Sequence, residues 1–143
     1  MNTSRIDIYE YIKGLFVGET NSIFKNIYYG NKPQVLTDSD SKNGYVVVSL
    51  GGMTDNSEIS LTTYVTLRCY IECYMPLYNG SVNTTKYKKV QEALDAIIQR
   101  ECSKVNAQYN INTDSLLSTD GYFNNNNNSS FAYIASFQIT ITE

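Results

Sequence analysis

The chain has 143 residues, 42% hydrophobic and only 17% charged, with a formal net charge of −3. That length fits one domain, spanning 1–143, with a real core, and is too short for two ordinary ones. The acidic balance excludes a protein that grips nucleic acid by neutralising phosphates with clustered Lys and Arg, and the absence of histidine removes the commonest general base, the Ser-His and Cys-His pairs and the commonest zinc ligand.

Ser4-Arg5-Ile6-Asp7 is a capping-box pattern with Asp in place of Glu, and Ile8, Ile12, Leu15 and Phe16 follow at helical spacing up to Gly18. The pattern predicts a short amphipathic helix over 5–17. Residues 23–29 read as a short strand, and 31–43, with Pro33, Asp38 and Asp40, as a polar connection. The β-rich stretch 45–50 stops at Gly51-Gly52.

Alternation is strict over 59–75. Ile59, Leu61, Val65, Leu67, Cys69, Ile71, Cys73 and Met75 occupy odd positions, with Thr63 the one polar interruption. Ser60, Thr62, Tyr64, Thr66, Arg68, Tyr70, Glu72 and Tyr74 occupy the even ones. This predicts one long strand with two distinct faces. Pro76 ends it and Asn79-Gly80 turns the chain.

Thr84 or Thr85 is placed to cap a helix over 85–102, with Tyr87, Val90, Leu94, Ile97, Ile98 and Cys102 on one stripe and Glu92, Asp95, Gln99 and Arg100 opposite. Its length of about 27 Å matches the strand it must cover. A strand follows at 105–111, then an Asn-rich stretch, 112–130, expected to be a flexible loop. Phe131, Tyr133, Ala135, Phe137, Ile139 and Ile141 alternate again, predicting a final strand over 131–142. The expected fold is α+β: a mixed, mainly antiparallel sheet with one long helix in the C-terminal half and a short N-terminal helix, both on one face.

Chemistry is sparse. Leu50-Gly51-Gly52-Met53 lacks the helix and lysine of a phosphate loop. Cys69 and Cys73 are about 13 Å apart on an extended strand, too far for a disulfide or a shared metal, and with Cys102 they are expected as reduced, packed thiols. No catalytic, cofactor-binding or metal-binding residue is expected, and no stretch approaches the ~20 apolar residues of a membrane span. Carboxylate pairs occur at Asp38/Asp40 and Asp55/Glu58, all in predicted loops. A carboxylate-only enzyme would rest on these four alone. The non-core face of the long strand, with Tyr64, Arg68, Tyr70, Glu72 and Tyr74, is either a solvated face or a subunit interface, since Tyr and Arg are enriched at interfaces.

The long strand 61–75, the turn at Tyr78-Asn79-Gly80, the helix 86–102, the alternating strand 131–141 and the N-terminal helix 6–16 together resemble the tail-terminator and tail-completion family of bacteriophages. The long loop 112–130 and the connection 30–44 depart from the family pattern. The resemblance implies a non-enzymatic virion protein, assembled in the bacterial host cytoplasm, that forms a head-to-tail connector, neck or tail-terminator ring of six or twelve copies. Its partners would be itself and adjoining neck, tail or portal proteins. Double-stranded DNA would pass through its channel without specific binding, and no membrane would be involved. Asp38, Asp40, Asp55 and Glu58 are the carboxylates expected to face that channel, the alternative being that they are ordinary solvated loop charges. The alternative is a small nucleic-acid-binding module that stacks bases on Tyr64, Tyr70 and Tyr74.

Overall fold

A computed structural model describes residues 4–16, 24, 26–31, 33, 35–52, 54–55, 64–104, 108–125 and 128–142. The elements run α1 (Arg5–Leu15), β1 (Ile27–Tyr29), α2 (Asp38–Asn43), β2 (Tyr45–Leu50), β3 (Thr54–Asp55), β4 (Tyr64–Pro76), α3 (Thr84–Cys102), β5 (Tyr109–Asn125) and β6 (Asn128–Thr142). The six strands form one sheet in the order β1-β2-β4-β6-β5, with β3 also paired to β4. Only β1 and β2 are parallel; the other pairings are antiparallel. The α+β architecture expected from the sequence is therefore present.

Both main helices cover one face of this sheet. The odd side chains of β4 and β6 point the same way because they are in register, Ile71 opposite Ala135 and Cys69 opposite Phe137. They meet Ile8, Ile12 and Phe16 from α1 and Val90, Leu94 and Ile97 from α3 in one continuous core. Ser4 caps α1 through a complete capping box with Asp7. Asn83, one residue earlier than expected, caps α3 by accepting from the Lys86 amide at 3.2 Å.

Three sequence expectations need correction. The 23–29 strand is shorter, Ile27–Tyr29, and the polar connection contains the helix α2. Thr37-Asp38-Ser39-Asp40 repeats the capping box of Ser4-Arg5-Ile6-Asp7, with Thr37 accepting from the Asp40 amide and Asp40 accepting from the Thr37 amide. That motif nucleates a helix without any apolar stripe, so periodicity alone passes over it.

The largest correction concerns 112–130, which is strand over 112–125 and 128–130. β5 continues to Asn125 and β6 begins at Asn128, paired along their length. Asn112 lies opposite Gln138 and Leu117 opposite Ser136, so a bulge sets four residues of β5 against the single Phe137 of β6. It also changes which positions face the helices: Ile111 before it, Ser118 and Asp120 after it, opposite the inward Ala135 and Tyr133. A strand that switches parity midway has no continuous alternation to detect. The predicted long strand begins at Tyr64; its stretch 59–63 lies outside the described residues.

Candidate functional site

The face of the sheet turned away from α1 and α3 carries the even positions of β4, which the sequence marks as solvated or as an interface. The structure divides this face in two. At one end Tyr45, Val47, Tyr74 and Ala132 form a second, smaller core, with Tyr28, Leu36 and Ile134 packed against it. Tyr45 and Tyr74 stack with ring centroids 5.0 Å apart, and Tyr28 meets Tyr45 edge-on at 6.0 Å. Gly44, at φ 89, lets the backbone turn from α2 into β2 against Tyr74; a side chain there would strike the Tyr74 carbonyl and the Phe24 ring.

Asp40 holds this end together. It is 2% exposed, and it accepts from the Tyr28 hydroxyl at 2.5 Å, the Asn26 amide at 2.8 Å and the Thr37 amide at 3.3 Å. Burial alone would raise its pKa, but these hydrogen bonds outweigh it and leave the carboxyl below its ordinary value. Tyr28 is pushed up to about 12, first by burial and then by the bond to Asp40. Two expectations are corrected here. Tyr74, 3% exposed, is covered by its own chain rather than presented to a neighbour, and Asp40 is a buried structural acceptor rather than a channel-facing charge.

The other half of the face is open. Tyr70 is 39% exposed and Leu117 64%. Tyr70 sits opposite Ser136, and Ser136 opposite Leu117, so the two apolar groups flank a small residue on one row across three strands. Arg68, beside them, is half-buried. Its guanidinium donates to the Ser115 carbonyl at 2.6 Å and to Ser136 Oγ at 3.0 Å, reaching from β4 over β6 into the bulge of β5. Ser115 Oγ in turn donates to the Asn112 carbonyl at 2.6 Å and accepts from the Gln138 amide at 2.7 Å. Arg68 is thus committed to intramolecular contacts, a role that sequence alternation could not assign. Glu72 is half-buried and hydrogen-bonds with Tyr74. Tyr64 occupies the first position of β4, and its side chain lies outside the described residues.

Of the candidate channel carboxylates, the described Asp38 and Asp55 lie far apart. Asp38 is exposed in the first turn of α2, which leads into β2 where Tyr45 pairs with Tyr74. Asp55 pairs with Val65, at the opposite end of β4. Nine residues of extended chain separate those levels by about 30 Å. Glu58 lies outside the described residues.

A second buried carboxylate escaped sequence reasoning. Glu101, 1% exposed, accepts from Tyr11 of α1 at 2.6 Å and pairs with Lys104 at 2.8 Å and Arg100 at 3.4 Å. Burial pushes its pKa up, and the bonds from Lys104, Tyr11 and Arg100 bring it below the ordinary value. Tyr11 stacks on Tyr109 at 4.2 Å, so Glu101 ties α1, α3 and β5 together. Its place in the 90, 94, 97, 101 series of the apolar stripe is the signal that marks it as inward-facing.

Cys69 and Cys73 are buried free thiols, each raised to about 12 chiefly by burial, and Cys102 is free and half-buried. Among the described residues no three His, Cys, Asp or Glu gather to hold a metal ion, and no helix is long and apolar enough to cross a membrane. The chain matches no protein-family model and no curated protein sequence.

Proposed function

We propose that the chain is a structural subunit of a bacteriophage head-to-tail connector or tail-terminator ring around the DNA channel, joining neck and tail components without a catalytic role. The element order α1, β4, α3, β5, β6 supports this assignment, since it is the pattern by which the sequence resembles that family. The observation that carries it is the open half of the outer sheet face, where Tyr70 and Leu117 stand exposed on a floor fixed by Arg68. An aromatic and an aliphatic group on a rigid surface suit a subunit contact better than a solvated face. One such contact repeated about an axis closes into a ring.

Native mass spectrometry tests the proposal. The wild-type chain is expected to form closed oligomers of six or twelve copies, and Tyr70→Glu or Leu117→Asp to shift them to monomers. Normal assembly of both variants would eliminate this face as the contact. Of the expected interface set, Tyr70 is the proposed contact residue, with Arg68 holding its floor. Of the four carboxylates expected at a channel wall, Asp38 is exposed. Base stacking on three tyrosines is disfavoured, because Tyr74 is enclosed; tight, salt-sensitive single-strand binding in a gel shift would reinstate it.

A further inference from the structure

We infer that the cleft between α3 and the bulged part of β5 is a binding site for an alkyl-linked cation, an ammonium or guanidinium group on an aliphatic stem. The cleft has a volume of about 530 Å³, in the range of small-ligand sites. Leu116 and Ser118, which follow within or just after the bulge, form its wall on the β5 side. Ile98 and Cys102 of α3, Leu116 of β5 and the ring of Tyr133 of β6 supply an apolar lining for a stem.

The polar end is Asp95. Its carboxylate is half-buried and makes no hydrogen bond or ion pair with another described residue. An incompletely hydrated, unpaired carboxylate costs stability, and a cation that hydrogen-bonds to it offsets that cost. Among the described residues that line the cleft there is no Lys or Arg. The Tyr133 hydroxyl hydrogen-bonds with Ser118, and Asp95 and Asp120 both act on Tyr133 electrostatically, each contributing negative potential at that ring. An anion or a wholly apolar molecule would leave Asp95 worse off or unchanged; a cation with a hydrocarbon stem complements both ends. The site does not depend on ring assembly.

The cation could be a side chain of another protein or a free amine, and backbone NMR titration separates the two. The probes are N-acetylarginine N-methylamide for the side chain, agmatine for the free amine, and N-acetylcitrulline N-methylamide as the neutral isostere. Expected are saturable shifts at Asp95, Leu116 and Ser118 with at least one cation, and binding of the citrulline derivative weaker by at least about tenfold. Whichever cation binds identifies the source. Asp95→Asn should weaken cation binding by the same factor, and Ser118→Phe, which fills the cleft, should abolish it, with thermal unfolding confirming that both variants are folded. Equal binding of the neutral isostere, undiminished binding in either variant, or no shift at these residues with either cation would overturn the inference.

Discussion

The two faces of the sheet are closed in different ways. The inner face is sealed by α1 and α3 with an almost wholly aliphatic and aromatic core, and the one carboxylate buried between these helices, among the described residues, is Glu101, paired with Lys104 and Arg100. The outer face is sealed over one end only, by α2 and the residues before it, and there the closure uses tyrosines around a buried carboxylate. The difference teaches how a short polar segment can close a sheet. α2 has six residues and offers no apolar stripe, so directional hydrogen bonds to Asp40 replace the burial of methyl groups. Such a seal is sensitive to the loss of a single acceptor, whereas the inner core spreads its stability over many contacts.

The largest effect is expected on the inner face. Leu94 is fully buried in the middle of α3, and Leu94→Asp combines a lost core side chain with an unpaired buried charge, costing more than about 4 kcal/mol. Against a typical total of about 5 to 15 kcal/mol, that is a large share of the stability, and the thermal unfolding midpoint followed by circular dichroism should fall well below that of the wild type. Wild-type thermal stability would mean that α3 is wrongly placed. On the outer face Asp40→Ala strands the Tyr28 hydroxyl, the Asn26 amide and the Thr37 amide together, and a loss of about 2 to 4 kcal/mol is expected in urea unfolding. A loss as small as that of a surface substitution would show that α2 does not depend on the carboxylate.

Acid should weaken both closures. The pKa values of Asp40 and Glu101 are lower in the folded chain than their ordinary values. Each therefore contributes stability that is fully present above about pH 5, past the unfolded values, and lost as pH falls through the lowered folded ones. The acid limb of stability against pH should shrink in Asp40→Asn. An unchanged limb would assign acid sensitivity to Glu101 and the remaining carboxylates.

Arg68→Met keeps the aliphatic stem but removes the donors to Ser115 and Ser136, for an expected loss of about 1 to 2 kcal/mol. Amide exchange should accelerate around the bulge and stay slow in the Tyr45–Tyr74 end. Uniform acceleration would mean that the two halves of the outer face open together. Tyr70→Glu marks the small end of the scale: at a half-open position it should move stability by no more than about 0.5 kcal/mol. A large stability loss would show that Tyr70 is needed for the fold, and any assembly defect would then say nothing about an interface.

Much of the architecture was legible without coordinates, because it follows from local rules. The Ser4 capping box, the apolar stripe of α3 and the alternation in β4 and β6 each report a period that secondary structure imposes on burial, and the inner core follows from them. The candidate site was legible only in outline: even positions of β4 share a face, but which of them stay open depends on what folds over that face. Tyr74 and Tyr70 are indistinguishable in the alternating pattern, and only the return of the segment before β2 encloses one and spares the other. Likewise Asp40 reads as a loop charge until Asn26 and Tyr28 converge on it. The course of β5 was hidden for a different reason, since its bulge inserts an odd number of residues, switches the inward face from odd to even positions and erases the period. Periodicity along the chain determined the elements and the inner face. Contacts between segments distant in sequence, which leave no periodic trace, decided the closure of the outer face, the fate of its charged groups and the cleft beside the bulge.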